Sequence, residues 1–287
     1  MDQGRSQDQA TFLLRDSRRE RRVDRVVAAR PSPPMTLPVL WHFTFSHFNE
    51  KVRWALDFKG IPHVRRALYP GLHIPRLTWM TGQAKAPVLV LGGKAIADST
   101  RIIAALERHR PDPSLYPSEA SARQRSLLLE DFVDEDLGDH LRAYVFYHLL
   151  RHADYANKLI TRGFGAAGRL IHRLFFPVFR LAYRIRFEIN ADRADLGRAK
   201  ILAALDRIEA ELQPSGYLVG EGFTVADLSA AALLSPFVLP PELPYAWPGR
   251  LPGAAGAFCE SLAARPALQW VAEMYRRHRP RSAEVAA

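Results

Sequence analysis

From position 38 onward, short apolar runs alternate with stretches of helical spacing. PVLWHF (38–43) is β-branched and aromatic and predicts a strand. It gives way at Ser46 to NEKVRWALDFKG (49–60), where Val52, Ala55 and Leu56 share one helical face until Gly60 supplies a stop. HVRRALY (63–69) predicts a second strand, and residues 70–84, with Pro70, Gly71, Pro75 and Gly82, an irregular connection. APVLVLGGKAIAD (86–98) predicts a hairpin turning at Gly92-Gly93. STRIIAALERHR (99–110) predicts a helix opened by Asp98-Ser99 and stopped before Pro111.

Beyond the linker PDPSLYPSEAS (111–121) the period is helical throughout. Residues 127–151, 196–212 and 255–278 predict helices, and 157–187 is apolar and basic, broken by Gly163, Gly165, Gly168 and Pro177. FTVADLSAAALL (223–234) opens on a capping box, Thr224 with Asp227, which is a folding feature and not a catalytic one. Residues 1–34 are rich in Arg, Asp, Gln and Ser and predict a disordered basic extension, dispensable for folding, with Met35 as a natural start. The pattern is an α/β domain over 35–111, an all-helical domain over 118–280 and a disordered tail over 281–287.

Composition narrows the classes. Hydrophobic residues make up 48% of 287, enough for a sizeable core, and no run of 18 apolar residues suggests a spanning helix. The single cysteine, Cys259, excludes an internal disulfide framework or a Cys-rich metal site; it reads as core and fits a cytoplasmic setting. The net charge of +10 is distributed in blocks, basic over 35–110 and 141–200 and acidic over 111–140, which argues against a nucleic-acid surface. Asp136, His140, His148 and His152 have helical spacings that reach a common metal, but a solvated face accounts for them, and no metal is expected.

The candidate chemistry lies at FTFSHFNEKVRW (43–54), where a strand turns directly into a helix with a hydroxyl, an imidazole and an amide at the turn. A helix N-terminus has N–H groups without partners and attracts anions. His47 is expected to be exposed and His42 to be a packed strand histidine.

Together, the βαβ unit, KAPVLVL, the ββα unit opened by ADS, and GEGFTVADLSAAALL resemble the cytosolic-type glutathione S-transferase family over roughly 38–280. The resemblance implies a thioredoxin-like N-terminal domain, an all-α C-terminal domain, and glutathione as co-substrate. Ser46 falls on the family's catalytic Ser/Cys position, and Asn49 where redox members carry a second cysteine. His42 takes a strand position that holds a catalytic tyrosine in other classes. With no thiolate at the turn, disulfide exchange is disfavoured. Pro87 matches the family's cis-proline, which frees Ala86 to pair with the cysteinyl unit. Asp98 and Ser99 match the site for the γ-glutamyl group, and His73, Arg76 or Lys85 are candidates for the glycyl carboxylate. Tyr144, Phe146 and Tyr147 are candidates for the wall of a hydrophobic substrate pocket.

This reading makes the chain a transferase that activates the glutathione thiol for attack on a small hydrophobic electrophile. The alternative is a silent binding or scaffold protein. A homodimer is expected, its basic 35–110 region facing the acidic 111–140 region. Residues 169–187 interleave apolar residues with Arg; lining a pocket or core is the preferred reading, and a basic face for a membrane surface the lesser one.

Overall fold

A computed structural model describes residues 36–286, so the expectations for 1–34 lie outside the described residues. β1 (Val39–His42) is a central strand. It pairs in parallel with β2 (Val64–Ala67), Val39 opposite Val64, and antiparallel with β3 (Val88–Leu91), Val39 opposite Val90. β4 (Lys94–Ala97) completes the order β2-β1-β3-β4. A parallel pair needs a crossover, and α1 (His47–Phe58) provides it. Gly92 and Gly93 have φ of 56° and 78°, as a tight hairpin turn demands. α3 (Ser99–His109) covers the sheet with Ile102, Ile103 and Leu106, all fully buried.

Between β2 and β3 the chain forms a further helix, α2 (His73–Thr81), where an irregular connection was predicted. Pro75 sits in its first turn, where the missing N–H costs nothing, and Gly82 (φ 74°) closes it by donating to the carbonyl of Thr78. Of the residues that suggest a loop, Pro70 and Gly71 precede the helix, Pro75 lies in its first turn and Gly82 closes it.

The helical half begins with α4 (Ala120–Phe132), which passes through one widened turn, Val133–Gly138, into α5 (Asp139–Leu149). α6 (Ala153–Ile160), α7 (Ala166–Arg186), α8 (Ala191–Glu211), α9 (Val225–Val238), α10 (Gly253–Leu262) and α11 (Pro266–His278) follow. α9 is apolar on every side, and all its residues except the last are buried. Its capping box forms as expected: Asp227 accepts from the Thr224 N–H at 2.8 Å, and its other oxygen accepts from Leu218 N–H. Burial raises the Asp227 carboxyl to about 6 despite these bonds. Apolar residues of both halves share one buried cluster, and the chain from Leu37 onward is a single compact unit.

Three further expectations differ. Gly163 and Gly165 do interrupt 157–187, but Gly168 and Pro177 lie inside α7, with Pro177 exposed where water can hydrate the carbonyl it leaves unpaired. The single helix over 255–278 is two, because Pro266 starts α11 at the one helical position that favours it. Residues 281–285 are not a loose tail. Ala283 N–H donates to Asp57, and Val285 N–H to the carbonyl of His63 beside β2. Cys259 is half-buried against the core, and burial pushes its thiol up to about 12.

Candidate active site

Ser46 caps α1. Its backbone is extended (φ −85°, ψ 129°), and its Oγ accepts from Asn49 N–H at 3.4 Å and Asn49 Nδ2 at 2.7 Å. Asn49 is fully buried, and its Oδ1 accepts from Phe43 N–H at 3.1 Å. One amide side chain thus ties the strand end to the first helical turn. A hydroxyl has two acceptor positions and one proton to donate. Asn49 fills both acceptor positions, and among the described residues no acceptor takes the proton.

Arg53, one helical turn further on, is 2% exposed and shapes the turn from beneath. Its guanidinium donates to the carbonyls of Phe43 (3.1 Å), Thr44 (3.4 Å) and Ser46 (3.3 Å). The negative ends of these peptides are drawn toward the guanidinium, and the partial positive charge of the α1 N-terminus lies beside the Ser46 hydroxyl. Arg53 is anchored in turn by Glu50 at 2.8 Å, and Glu50 by Arg279 at 2.8 Å. Arg279 continues to Asp57, which also takes Arg65 at 2.6 Å. The result is a buried line of charges running from the turn to Arg279, just beyond α11.

His42 belongs to this network. Its Nδ1 accepts from Arg53 Nη1 at 2.9 Å, its ring lies 5.3 Å from Tyr245, and burial, with Arg53 and Arg65 close by, keeps it neutral. His47 is buried, contrary to expectation, because the N-terminus of α1 docks on the widened turn before α5. Its Nε2 donates to the Gly138 carbonyl at 3.1 Å, and burial, with Arg142 adding to it, lowers its pKa to about 4. Gly138 is required by this approach: a Cβ there falls on the Phe48 ring and within 2.9 Å of Leu233. Gly138→Ala is expected to lose about 1–3 kcal/mol of stability, the cost of overpacking, read as a lower urea midpoint. An unchanged midpoint shows that Phe48 can yield.

The Ala86–Pro87 bond is cis. The β3 register starts at Val88, so the backbone of Ala86 lies outside the ladder. Asp98 is exposed at the start of α3 with φ 79°, a region unusual for a residue other than glycine, and its Oδ1 accepts from Arg101 N–H at 3.1 Å. Ser99 is buried beside it. Next to them stands a group the sequence did not single out. Lys51 reaches Glu130 at 2.8 Å and Asp134 at 2.6 Å, and Thr100 donates to Asp134 at 2.8 Å. Burial pulls Lys51 down, but Asp134 and Glu130 more than offset it and raise it overall. Among the described residues, Asp134 Oδ1 is buried without a partner. The signal available in the sequence was the helical spacing of Glu130 and Asp134, but their partner lies about 80 residues away.

Of the residues considered for the glycyl carboxylate, Lys85 is exposed, Arg76 stacks on Trp41 at 4.6 Å, and His73 is occupied, its Nε2 donating to the Ala84 carbonyl at 3.1 Å. The three pocket candidates separate. The Phe146 ring lies 5.9 Å from Phe45, the residue before Ser46, and 4.6 Å from Tyr183 of α7. Tyr144 faces the opposite way, toward Phe258 at 5.1 Å, and Tyr147 carries the Arg151 guanidinium at 3.8 Å. A cleft of about 350 Å³ at Arg65, Tyr245 and Arg279 lies behind the charge line, away from Ser46.

The chain belongs to the glutathione S-transferase family. Residues 40–114 match the family described as "Glutathione S-transferase, N-terminal domain", and 191–258 its C-terminal counterpart. The chain is 29% identical over 209 residues to "Glutathione S-transferase TCHQD" of Arabidopsis thaliana, covering 68% of this chain and 75% of that one. It is 32% identical over 101 residues to "Maleylpyruvate isomerase" of a Ralstonia species, covering 34% of this chain and about half (48%) of that one. A solved glutathione S-transferase of Methylobacterium radiotolerans, in complex with glutathione sulfonate, shares the fold with a TM-score of 0.55 at 23% identity, covering 88% of this chain and 97% of that one. Among the described residues no helix is long and apolar enough to cross a membrane, and no cluster of side chains could hold a metal ion.

Proposed function

We infer that the turn at Ser46 binds the thiolate of glutathione and delivers it to a small hydrophobic electrophile. The observation that carries this reading is the Ser46 hydroxyl: both its acceptor positions are filled by Asn49, and its proton is free to point at an anion. A serine hydroxyl is too weak an acid to serve as the base. It acts as a donor to sulfur that is already ionised. A free thiol titrates near about 8.5. A charge-assisted hydrogen bond worth about 1.5–3 kcal/mol and a helix N-terminus worth about 0.3–1 kcal/mol bring it to about 6–7. The thiolate then forms a carbon–sulfur bond as the electrophile's leaving group departs or its double bond takes up the charge.

The rest of the tripeptide fits the neighbouring groups. The free backbone edge of Ala86 pairs with the cysteinyl unit, as an added strand does. Asp98 takes the γ-glutamyl ammonium, with the unpartnered Asp134 oxygen close to the same helix start. The N–H groups opening α3 at Ser99 take its carboxylate, and Lys85 is the free cation nearest in sequence for the glycyl end. Phe146, beside Phe45, forms the apolar wall for the electrophile. The relatives' names, transferases and an isomerase, favour turnover over a silent scaffold, and the Ralstonia relative adds maleylpyruvate to the compounds to be screened.

The test is retention on immobilised glutathione followed by an electrophile screen with the retained protein. No binding at millimolar glutathione removes the reading. Asp98→Ala is expected to weaken glutathione binding about ten- to a hundredfold, the loss of one charge-assisted bond, while the thiol pKa of the remaining complex stays nearly fixed. Isothermal titration and thiolate absorbance separate the two effects. An unchanged affinity assigns the ammonium to another carboxylate.

A further inference from the structure

α7 has two apolar faces where a helix on a protein surface needs one. At 3.6 residues per turn, His172, Phe176, Phe179 and Tyr183 fall on a narrow strip turned toward the body. His172 bonds Asn157 at 2.6 Å, and Tyr183 stacks on Phe146. Roughly opposite, Leu170, Leu174, Phe175, Val178, Leu181 and Ile185 form a broader strip that spans roughly a third of the circumference. These six are 58–69% exposed, and no described residue covers them. This overturns the preferred reading of 169–187 as the lining of a pocket or core, which holds for the narrow strip alone.

A contiguous exposed apolar strip of this size marks an interaction surface, and the charges beside it identify the occupant. Arg169, Arg173, Arg180 and Arg184 lie between the two strips as one ridge along the helix; all four are exposed, with Arg169 donating to the Phe164 carbonyl, Arg184 to the Ile189 carbonyl, and Arg173 3.8 Å from the exposed Asp154. Residues 157–187 contain seven basic residues and no Asp or Glu. A second copy of α7 laid against this face brings a further arginine ridge and no carboxylate to meet it. A bilayer with anionic headgroups matches both features at once. When the apolar strip sinks about 5–10 Å to the acyl boundary, the flanking guanidiniums come level with the phosphates, which they bind in fork geometry.

We propose that α7 is an in-plane anchor that docks this protein on an anionic membrane surface. The full chain is sedimented with vesicles of phosphatidylcholine alone and with vesicles of phosphatidylcholine and phosphatidylglycerol in equal parts. Binding is expected to the mixed vesicles, to be at least tenfold weaker to the neutral ones, and to fall with added salt. Phe175→Asp and, separately, the pair Arg173→Glu with Arg180→Glu are expected to reduce binding at least tenfold. All three side chains are exposed, and unchanged thermal melting and glutathione binding confirm that the variants fold. Three results overturn the proposal: no sedimentation with mixed vesicles, equal binding to both kinds, or undiminished binding by folded Phe175→Asp. If the chain ignores vesicles but is a dimer that Phe175→Asp splits, the strip is a subunit interface.

Discussion

Ser46→Ala is expected to raise the pKa of the bound glutathione thiol by about 1–2 units, matching one charge-assisted hydrogen bond at about 1.4 kcal/mol per unit. The substitution removes the one donor proton and leaves the α1 N-terminus, Ala86, Asp98 and Ser99 in place. Glutathione affinity therefore changes little below both thiol pKa values and falls about ten- to a hundredfold where the thiol is ionised in the complex. Thiolate absorbance against pH in the complex reads the shift directly. At about pH 6.5 the thiolate fraction, and with it the conjugation rate, falls about tenfold or more. Well above both pKa values the two proteins converge, since the thiol is ionised in each. A deficit that persists at high pH shows that Ser46 orients the sulfur and does not ionise it. If pKa and rate are both unmoved while Asn49→Ala abolishes activity, the donor is the asparagine amide.

Asp57→Ala is expected to cost about 3–5 kcal/mol of stability, because it leaves buried charge without its partner. Asp57 accepts from Arg65 Nη2 at 2.6 and 2.8 Å, from Arg279 Nη1 at 2.8 Å and from Ala283 N–H at 2.8 Å. Both arginine side chains are 1% exposed, so water does not replace what is lost. Urea unfolding followed by circular dichroism gives the figure; a loss below about 1 kcal/mol places the interaction with surface ion pairs. The pH dependence has a definite sign. Burial pushes the Asp57 carboxyl up, but Arg279 and Arg65 more than offset it and hold it below the usual carboxylate range. Its contribution is therefore present above the unfolded pKa, about 3.9, and is lost as pH falls through the lower folded value. The acid limb of the wild type's stability profile should flatten in the variant.

Much of the architecture was legible because local signals agreed with the tertiary ones. The apolar run before Ser46, the paired glycines at 92–93, and Thr224 with Asp227 each specify an element within a few residues. Misreadings arose where one residue type serves two purposes. Proline and glycine bound α2 closely enough to resemble a loop, and Pro177 lies within α7 because its exposed side tolerates a missing bond. The placement of Ser46 could be inferred from its neighbours, but its electronic setting could not. Arg53 is mostly expected at the surface, and nothing near it in the chain reveals that it gathers three carbonyls under the turn. His47 was misjudged for a related reason: its acceptor, Gly138, is 91 residues away.

The line of charges from Ser46 to Arg279 has a consequence for translation. Glu50 and Arg279 are separated by 229 positions, yet they share the bond that steadies Arg53, and through it the carbonyls of Phe43, Thr44 and Ser46. A domain made first is commonly finished first. Here the turn at Ser46 emerges from the ribosome early and acquires its last support only when residue 279 has been added. A nascent chain, or one ended by a premature stop after α11, carries Ser46 and the whole sheet but leaves Glu50 and Asp57 short of a cation. The fold thereby makes the turn at Ser46, in the first half, depend on Arg279, a residue that follows the last helix of the second.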